Sequence, residues 1–117
     1  MDTYYYITND STIIFSPEYN SLLNPELNIT IQKIIFSDYE LSDELFKAYK
    51  NDNFKGLCYN RSRFNRRFAN SLNNCPSLTH IIFGDCFNRP LGSLDNCRSL
   101  THITFGGSFN HPLDSSL

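Results

Sequence analysis

"IIFGDCFNRPL" (residues 81–91) is written a second time as "ITFGGSFNHPL" (residues 103–113), 22 positions later. Extending the two copies backward aligns Leu78 with Leu100, Ile81 with Ile103, Phe83 with Phe105 and Phe87 with Phe109. Asn88 and Asn110, Pro90 and Pro112, and Leu91 and Leu113 follow in step. A fixed period of ~20–29 residues marks stacked repeats, because one such unit cannot bury its own apolar face and needs a neighbour to cover it. Phe-Asn-x-Pro is neither an apolar stripe nor a catalytic signature, and its recurrence points to architecture.

The template continues upstream. "IIFSPEYNSLL" (residues 13–23) fits without a gap through Ile13, Phe15, Tyr19, Asn20 and Leu23, lacking only the Pro. "IQKIIFSDYELSDEL" (residues 31–45) fits with one inserted residue through Ile31, Ile34, Phe36, Leu41 and Leu45. "FKGLCYNRSRFNRRF" (residues 54–68) fits the same way through Phe54, Leu57, Tyr59, Phe64, Asn65 and Phe68. The expectation is one repeat domain over 1–117, with repeats at about 12–30, 31–53, 54–76, 77–98 and 99–117. Residues 1–11 are expected to form a cap or hairpin turning near Asn9 and Asp10.

Each copy opens L-x-x-I-x-F, whose fourth and sixth positions alternate inward as in a strand with one buried face. The opening resembles the leucine-rich repeat L-x-x-L-x-L and predicts an α/β solenoid: short parallel strands on the concave side, turns and short helices on the convex side. Phe87 is expected to be buried behind the strand, and Asn88 to bond backbone groups at the turn. Pro90 suits a segment that needs no N–H, while Gly84 and Gly106 are expected to take backbone angles closed to other residues. A convex helix is predicted over residues 42–51, with Ser42 as N-cap, Asp43 and Glu44 in the first turn, Lys47 and Lys50 near the end, and Leu45 and Tyr49 on one face.

"FNRP" and "FNHP" within "LTHIxFGxxFNxPL" resemble the FNIP repeats of social amoebae and giant DNA viruses, a leucine-rich-repeat-like family. The resemblance is specific over residues 78–117 and degenerate before them. It implies a protein-binding repeat module in the cytoplasm, the host cytoplasm for a viral chain. Relatives often join an F-box to the repeats, which implies substrate selection for a ubiquitin ligase. Here the residues ahead of the first repeat are too few for an F-box.

Net charge is −2, favouring neither nucleic acid nor an anionic membrane, and it is unevenly spread: residues 1–54 hold nine acids and three bases, residues 55–117 three acids and seven bases. No apolar run reaches the ~20 residues that span a bilayer, and "MDTYYYITND" lacks the features of a signal peptide. Cys58, Cys75, Cys86 and Cys97 are therefore read as reduced thiols, and the glycosylation triplets at Asn9, Asn28 and Asn60 as unused.

Catalytic signatures are missing, no cofactor is implied, and the chain is not expected to be an enzyme. The expected function is to bind a protein through outward strand positions on the concave sheet: Gln32, Lys33 and Ile35; Lys55 and Cys58; Thr79, His80 and Ile82; Thr101, His102 and Thr104. His80 and His102 share a repeat position, but the equivalent positions upstream are Lys33 and Gly56, so a ladder of hydrogen-bonded side chains is expected over a metal site. Cys75 and Cys97 are read as stacked buried thiols. Arg61, Arg63, Arg66 and Arg67 alternate with Phe64 and Phe68, but the repeat assigns both rings to the core. Nucleic acid is accordingly the disfavoured partner. The alternative reading is a self-assembling protein, a homodimer formed through an uncapped C-terminal repeat by Phe105, Phe109, Leu113 and Leu117.

Overall fold

The computed structural model describes residues 5–7, 11–20, 30–66, 75–89 and 97–111. Five strands form one sheet in chain order: β1 (Tyr5–Ile7), β2 (Thr12–Phe15), β3 (Lys33–Phe36), β4 (His80–Ile82) and β5 (His102–Thr104). β1 pairs antiparallel with β2, and β2 to β5 run parallel. One helix, α1 (Leu45–Asn51), lies between β3 and β4 in sequence. The molecule is a small α/β structure in which the repeated I-x-F segments are neighbouring parallel strands. The hairpin expected at the N-terminus is present as the β1–β2 pair, with Tyr5 opposite Phe15; its turn at Asn9 and Asp10 lies outside the described residues, as do Leu23, Phe68, Pro90, Leu91 and Pro112.

Strand alternation sends Ile13, Phe15, Ile34, Phe36, Ile81 and Phe83 into the main core, joined there by Ile31, Phe64, Leu78 and Phe87. Each layer contributes two rings. The one at the strand end stacks on a second ring just beyond it: Phe15 on Tyr19 at 4.4 Å, Phe36 on Phe64 at 4.0 Å, Phe83 on Phe87 at 3.9 Å, and Phe105 on Phe109 at 3.9 Å. Both columns then continue from layer to layer. Phe15, Phe36, Phe83 and Phe105 succeed one another at 5.1, 5.7 and 5.5 Å. Tyr19, Phe64, Phe87 and Phe109 do so at 6.0, 5.9 and 5.9 Å.

A polar ladder runs beside the rings. Asn65 N–H donates to Asn20 Oδ1 (3.0 Å), Asn88 N–H to Asn65 Oδ1 (2.9 Å) and Asn110 N–H to Asn88 Oδ1 (2.9 Å). The residue after each Asn completes the pattern: Arg66 Nε donates to the Asn20 carbonyl and Arg89 Nε to the Asn65 carbonyl, while His111 Nε2 lies against the Asn88 carbonyl, all at 3.2 Å. Backbone groups that leave the sheet thus find partners in the adjacent layer, along an exposed edge of the stack. A third ladder uses carboxylates. Asp38 Oδ1 accepts from Ser62 N–H and Asp85 N–H, and Asp85 Oδ1 from Gly107 N–H.

These contacts redraw the expected repeats. β3 pairs directly with β4, so Phe54, Leu57 and Tyr59 add no strand to the sheet. Tyr59 is 59% exposed, and its backbone forms an isolated antiparallel bridge to Tyr39 outside the sheet, with the two rings edge-on at 5.5 Å. The boundaries 31–53 and 54–76 therefore do not delimit two layers: β3 supplies the strand, and Phe64 with Asn65 supplies the return of that same layer. Between them the chain leaves after Asp38 and re-enters at Asn60, where Asn60 N–H bonds the Asp38 carbonyl and Glu40 N–H the Cys58 carbonyl. Asn60 Nδ2 also reaches Glu18 and Glu40, which pins the base of this excursion.

Two further expectations change. The helix begins at Leu45, with Glu44 as an N-cap residue that makes no side-chain capping bond; Ser42 instead accepts a turn bond from Leu45 N–H through its carbonyl. Gly84 and Gly106 do not have positive φ. Their requirement is space, because a Cβ at Gly84 would overlap the Ser62 side chain and one at Gly106 the Gly84 carbonyl. The radius of gyration, 13.5 Å, is that of a globular domain of this length, since layers stacked at ~4.8 Å make a body about as thick as it is long.

Phe87→Ala should cost about 3–5 kcal/mol in urea unfolding, whereas Phe109→Ala, at a half-buried ring of the last layer, should cost about 1–2 kcal/mol. Equal losses would contradict a shared ring column with an open end. Gly84→Ala should destabilise by about 1–3 kcal/mol and be largely rescued by Ser62→Gly, while Gly106→Ala should gain nothing from that second change.

Candidate binding face beside the helical insertion

The sheet has a second face, and its covering decides which residues a partner can reach. Ile14 and Ile35 point away from the ring columns and are buried with Leu45 of α1; Tyr39, Leu41, Phe46, Tyr49, Leu57 and Ile82 pack around them. The excursion of the β3 layer therefore folds back over the face expected to be open, and α1 lies there rather than on the opposite, convex side. The reason is energetic: without it Ile14 and Ile35, both essentially inaccessible, would face water. Phe54 stacks on Tyr39 at 4.6 Å and meets Tyr49 edge-on at 4.9 Å, so the insertion carries its own small aromatic core. Burial pushes the Tyr49 hydroxyl up to about 12, which keeps it neutral.

Beyond α1 the face remains accessible. Strand register places Lys33, His80 and His102 side by side, and Ile35, Ile82 and Thr104 in the next row. Gln32, Lys33, Thr101, His102 and Thr104 are exposed, and Thr79, His80 and Ile82 are half-buried. Ile35 is not part of the accessible surface, since Leu45 covers it. Lys55 and Cys58 are exposed but belong to the insertion, and neither lies on a strand of the row. Phe105 and Phe109 are half-buried against the main core, while Leu113 and Leu117 lie outside the described residues.

The histidines are held in a particular way. Thr79 Oγ1 donates to the Gln32 carbonyl at 3.0 Å and lies 2.8 Å from His80 Nδ1; Thr101 Oγ1 donates to the Thr79 carbonyl at 3.2 Å and lies 2.8 Å from His102 Nδ1. A hydroxyl has one proton, so each Thr oxygen accepts from the neighbouring imidazole, and this network assigns the proton of the neutral ring to Nδ1. The rings stack at 4.4 Å with planes 3° apart. Parallel rings send their in-plane lone pairs side by side, whereas two ligands of one metal ion must converge on it.

Burial, then the nearby His102 and Lys33, lowers the His80 pKa below its ordinary value. Elsewhere, burial pushes the Cys75 thiol up to about 11 and also raises Cys97, so both stay protonated and poorly nucleophilic at neutral pH. Phe64 is buried and cannot stack on a base, and Arg61 lies 3.8 Å from Asp85. Arg67 lies outside the described residues. No helix among the described residues is long and apolar enough to cross a membrane. Comparison with protein-family models, curated proteins and solved structures finds no match.

Sequence reasoning found the row but missed its covering and its anchors. The Thr-His pairs are visible as "LTH" in both copies. That each Thr reaches back to the previous layer while holding its own His follows only from parallel register.

Because His80 binds its proton more weakly when folded, the unfolded chain takes up protons first as the pH falls. The resulting penalty is absent above ~6.5 and grows as the pH drops through that value. The melting temperature should therefore decline on the acid side, and His80→Gln should make that decline shallower; identical pH profiles for the two proteins would remove His80 as its cause.

Proposed function

We propose that this chain is a small leucine-rich-repeat-like solenoid, related in design to FNIP repeats, that binds a protein partner on the open part of its parallel sheet beside α1. The observation that carries this reading is the half-covered face itself. Lys33, His80, His102, Ile82 and Thr104 lie in two ordered rows with α1 packed against the buried end of the second. Insertions in repeat proteins commonly border the binding surface. A shallow sheet with polar and β-branched side chains suits a polypeptide better than a small molecule, which needs a concave pocket. The parallel in-register strands, the ring columns and the Asn ladder support the solenoid reading, and "FNRP" and "FNHP" support the kinship.

A photo-reactive amino acid placed at Thr104 should cross-link one discrete protein in the cells that make this chain, and the same group at Arg63, on the return segment, should not. Cross-links from Arg63 alone, or none from Thr104, would reject this face.

Self-association is the second reading. Among the described residues β5 has a strand neighbour on one side only, and Phe105 and Phe109 are more exposed than Phe83 and Phe87. β1 is the other outer strand and runs antiparallel to its neighbour; pairing through the β5 ends of two copies closes a dimer, whereas β5 on β1 would build an open array. Light scattering should then give twice the chain mass, reduced to the monomer by Ile103→Pro, because the 102 and 104 backbone groups face β4 and leave the Ile103 N–H on the open edge; a monomer at all concentrations would remove the reading.

A further inference from the structure

The row Lys33, His80 and His102 brings together three basic side chains on adjacent strands. Directly opposed like charges destabilise a sheet, and folded proteins commonly alternate their signs across strands. Among the described residues the charged groups acting on His80 are His102 from β5 and Lys33 from β3, and no carboxylate joins them. Two carboxylates elsewhere face other cations: Glu44 of the insertion faces Lys47, and Asp85 faces Arg61.

The anchoring of the rings adds direction. With Nδ1 held by a threonine oxygen, each imidazole keeps Nε2 as its free nitrogen, and the threonine can accept whether the ring is neutral or charged. Protonation at Nε2 therefore demands no rotation of either ring. It turns two stacked neutral rings beside an ammonium into three cations about 4.8 Å apart along the sheet.

The second row gives the other half of the surface. Two residues further along each strand, Ile82 and Thr104 offer a methyl-rich strip that is half-open at β4 and open at β5. Charge next to apolar surface fits a polypeptide carrying both carboxylates and apolar side chains. Nucleic acid would want denser positive charge than one ammonium and two imidazoles supply.

Building on the protein-binding reading above, we propose that Lys33, His80 and His102 form a docking row for a carboxylate-rich segment of the partner, that Ile82 and Thr104 receive its apolar side chains, and that protonation of the two imidazoles tightens the contact. The surface is thus a pH-graded reader of acidic sequence. A bound carboxylate also relieves the repulsion within the row, so the acid-side loss of stability in the free chain becomes an acid-side gain in affinity.

The test uses the full chain and a fluorescein-labelled peptide of repeated Glu-Glu-Leu, with its Gln-Gln-Leu twin, read by anisotropy. The acidic peptide should bind, and its affinity should rise roughly threefold to tenfold between pH ~7.5 and ~5, a window that reaches below the lowered His80 value and adds charge at an exposed surface. The double variant His80→Gln, His102→Gln should bind with little pH dependence, Lys33→Glu should lose most of the binding, and Arg66→Gln with Arg89→Gln should change nothing. Equal binding of the Gln twin, a flat pH profile in the wild-type chain, or loss of binding in the Arg variants would overturn the proposal. So would tighter binding of a labelled oligouridylate that Lys33→Glu abolishes, or self-association at pH ~6 that the same variant abolishes, since each gives the row another occupant. Circular dichroism of each variant confirms that it is folded. If the protein cross-linked at Thr104 is captured equally at both pH values and by Lys33→Glu, protein binding stands and the acidic-segment proposal falls. If the peptide behaves as expected but nothing cross-links at Thr104, the row binds acidic sequence but the protein-binding reading falls, and the assignment of that sequence to a protein partner falls with it.

Discussion

The structure depends on a pair of aromatic rings in each layer, one ending the strand and one just after it, stacked face to face. Three layers place the rings four residues apart: Phe15 and Tyr19, Phe83 and Phe87, Phe105 and Phe109. A strand of three or four residues buries too little to hold its neighbours. The ring pair adds apolar area and an offset-stacking contribution of about 0.5–1.5 kcal/mol per contact. It also fixes where the chain must turn, because the second ring has to come back under the first. The Asn ladder, the carboxylate ladder and the glycines at the strand ends are consequences of that turn, which draws backbones of adjacent layers close together.

The β3 layer shows how firmly the constraint acts. Its second ring arrives only at Phe64, after the excursion that contains α1, yet it stacks on Phe36 at 4.0 Å like the others. An insertion is tolerated because loop closure costs little for added length, and because Asp38, Asn60 and Glu40 close its base. The inserted chain then covers Ile14 and Ile35. Covering the sheet at one end leaves the other accessible, so the same insertion that completes the core also delimits the exposed part of that face.

Much of this was legible in the sequence. Parallel in-register strands followed from the 22-residue repeat, the burial of Phe83 and Phe87 from the I-x-F and Phe-Asn pattern, and the antiparallel β1 from "YYYITNDSTIIF". The misplacement of residues 54–59 has an identifiable source. Matching them to the template required one inserted residue between Tyr59 and Phe64, and the same gap was needed between Phe36 and Leu41. The uninterrupted layers keep their rings four residues apart, and two gapped matches in succession mark a single interrupted layer. The helix's location was illegible for another reason: amphipathicity says that Leu45 seeks a core but not which of two sheet faces provides it. Burial of Ile35 follows from that choice. The roles of Asp38 and of the residue after each Asn were likewise hidden, because both act across layers widely separated in sequence.

The Asn ladder has a sense. In every step the later residue offers its N–H and the earlier one its side-chain oxygen, so each layer is specified by the one before it and in turn presents an identical acceptor to whatever comes after. Such a vectorial scheme lets a gene lengthen by in-frame duplication on one side without any new interaction being invented, while the antiparallel strand terminates the opposite side. A further copy at the C-terminal side would therefore meet a ready-made acceptor at Asn110, whereas one at the hairpin side would not.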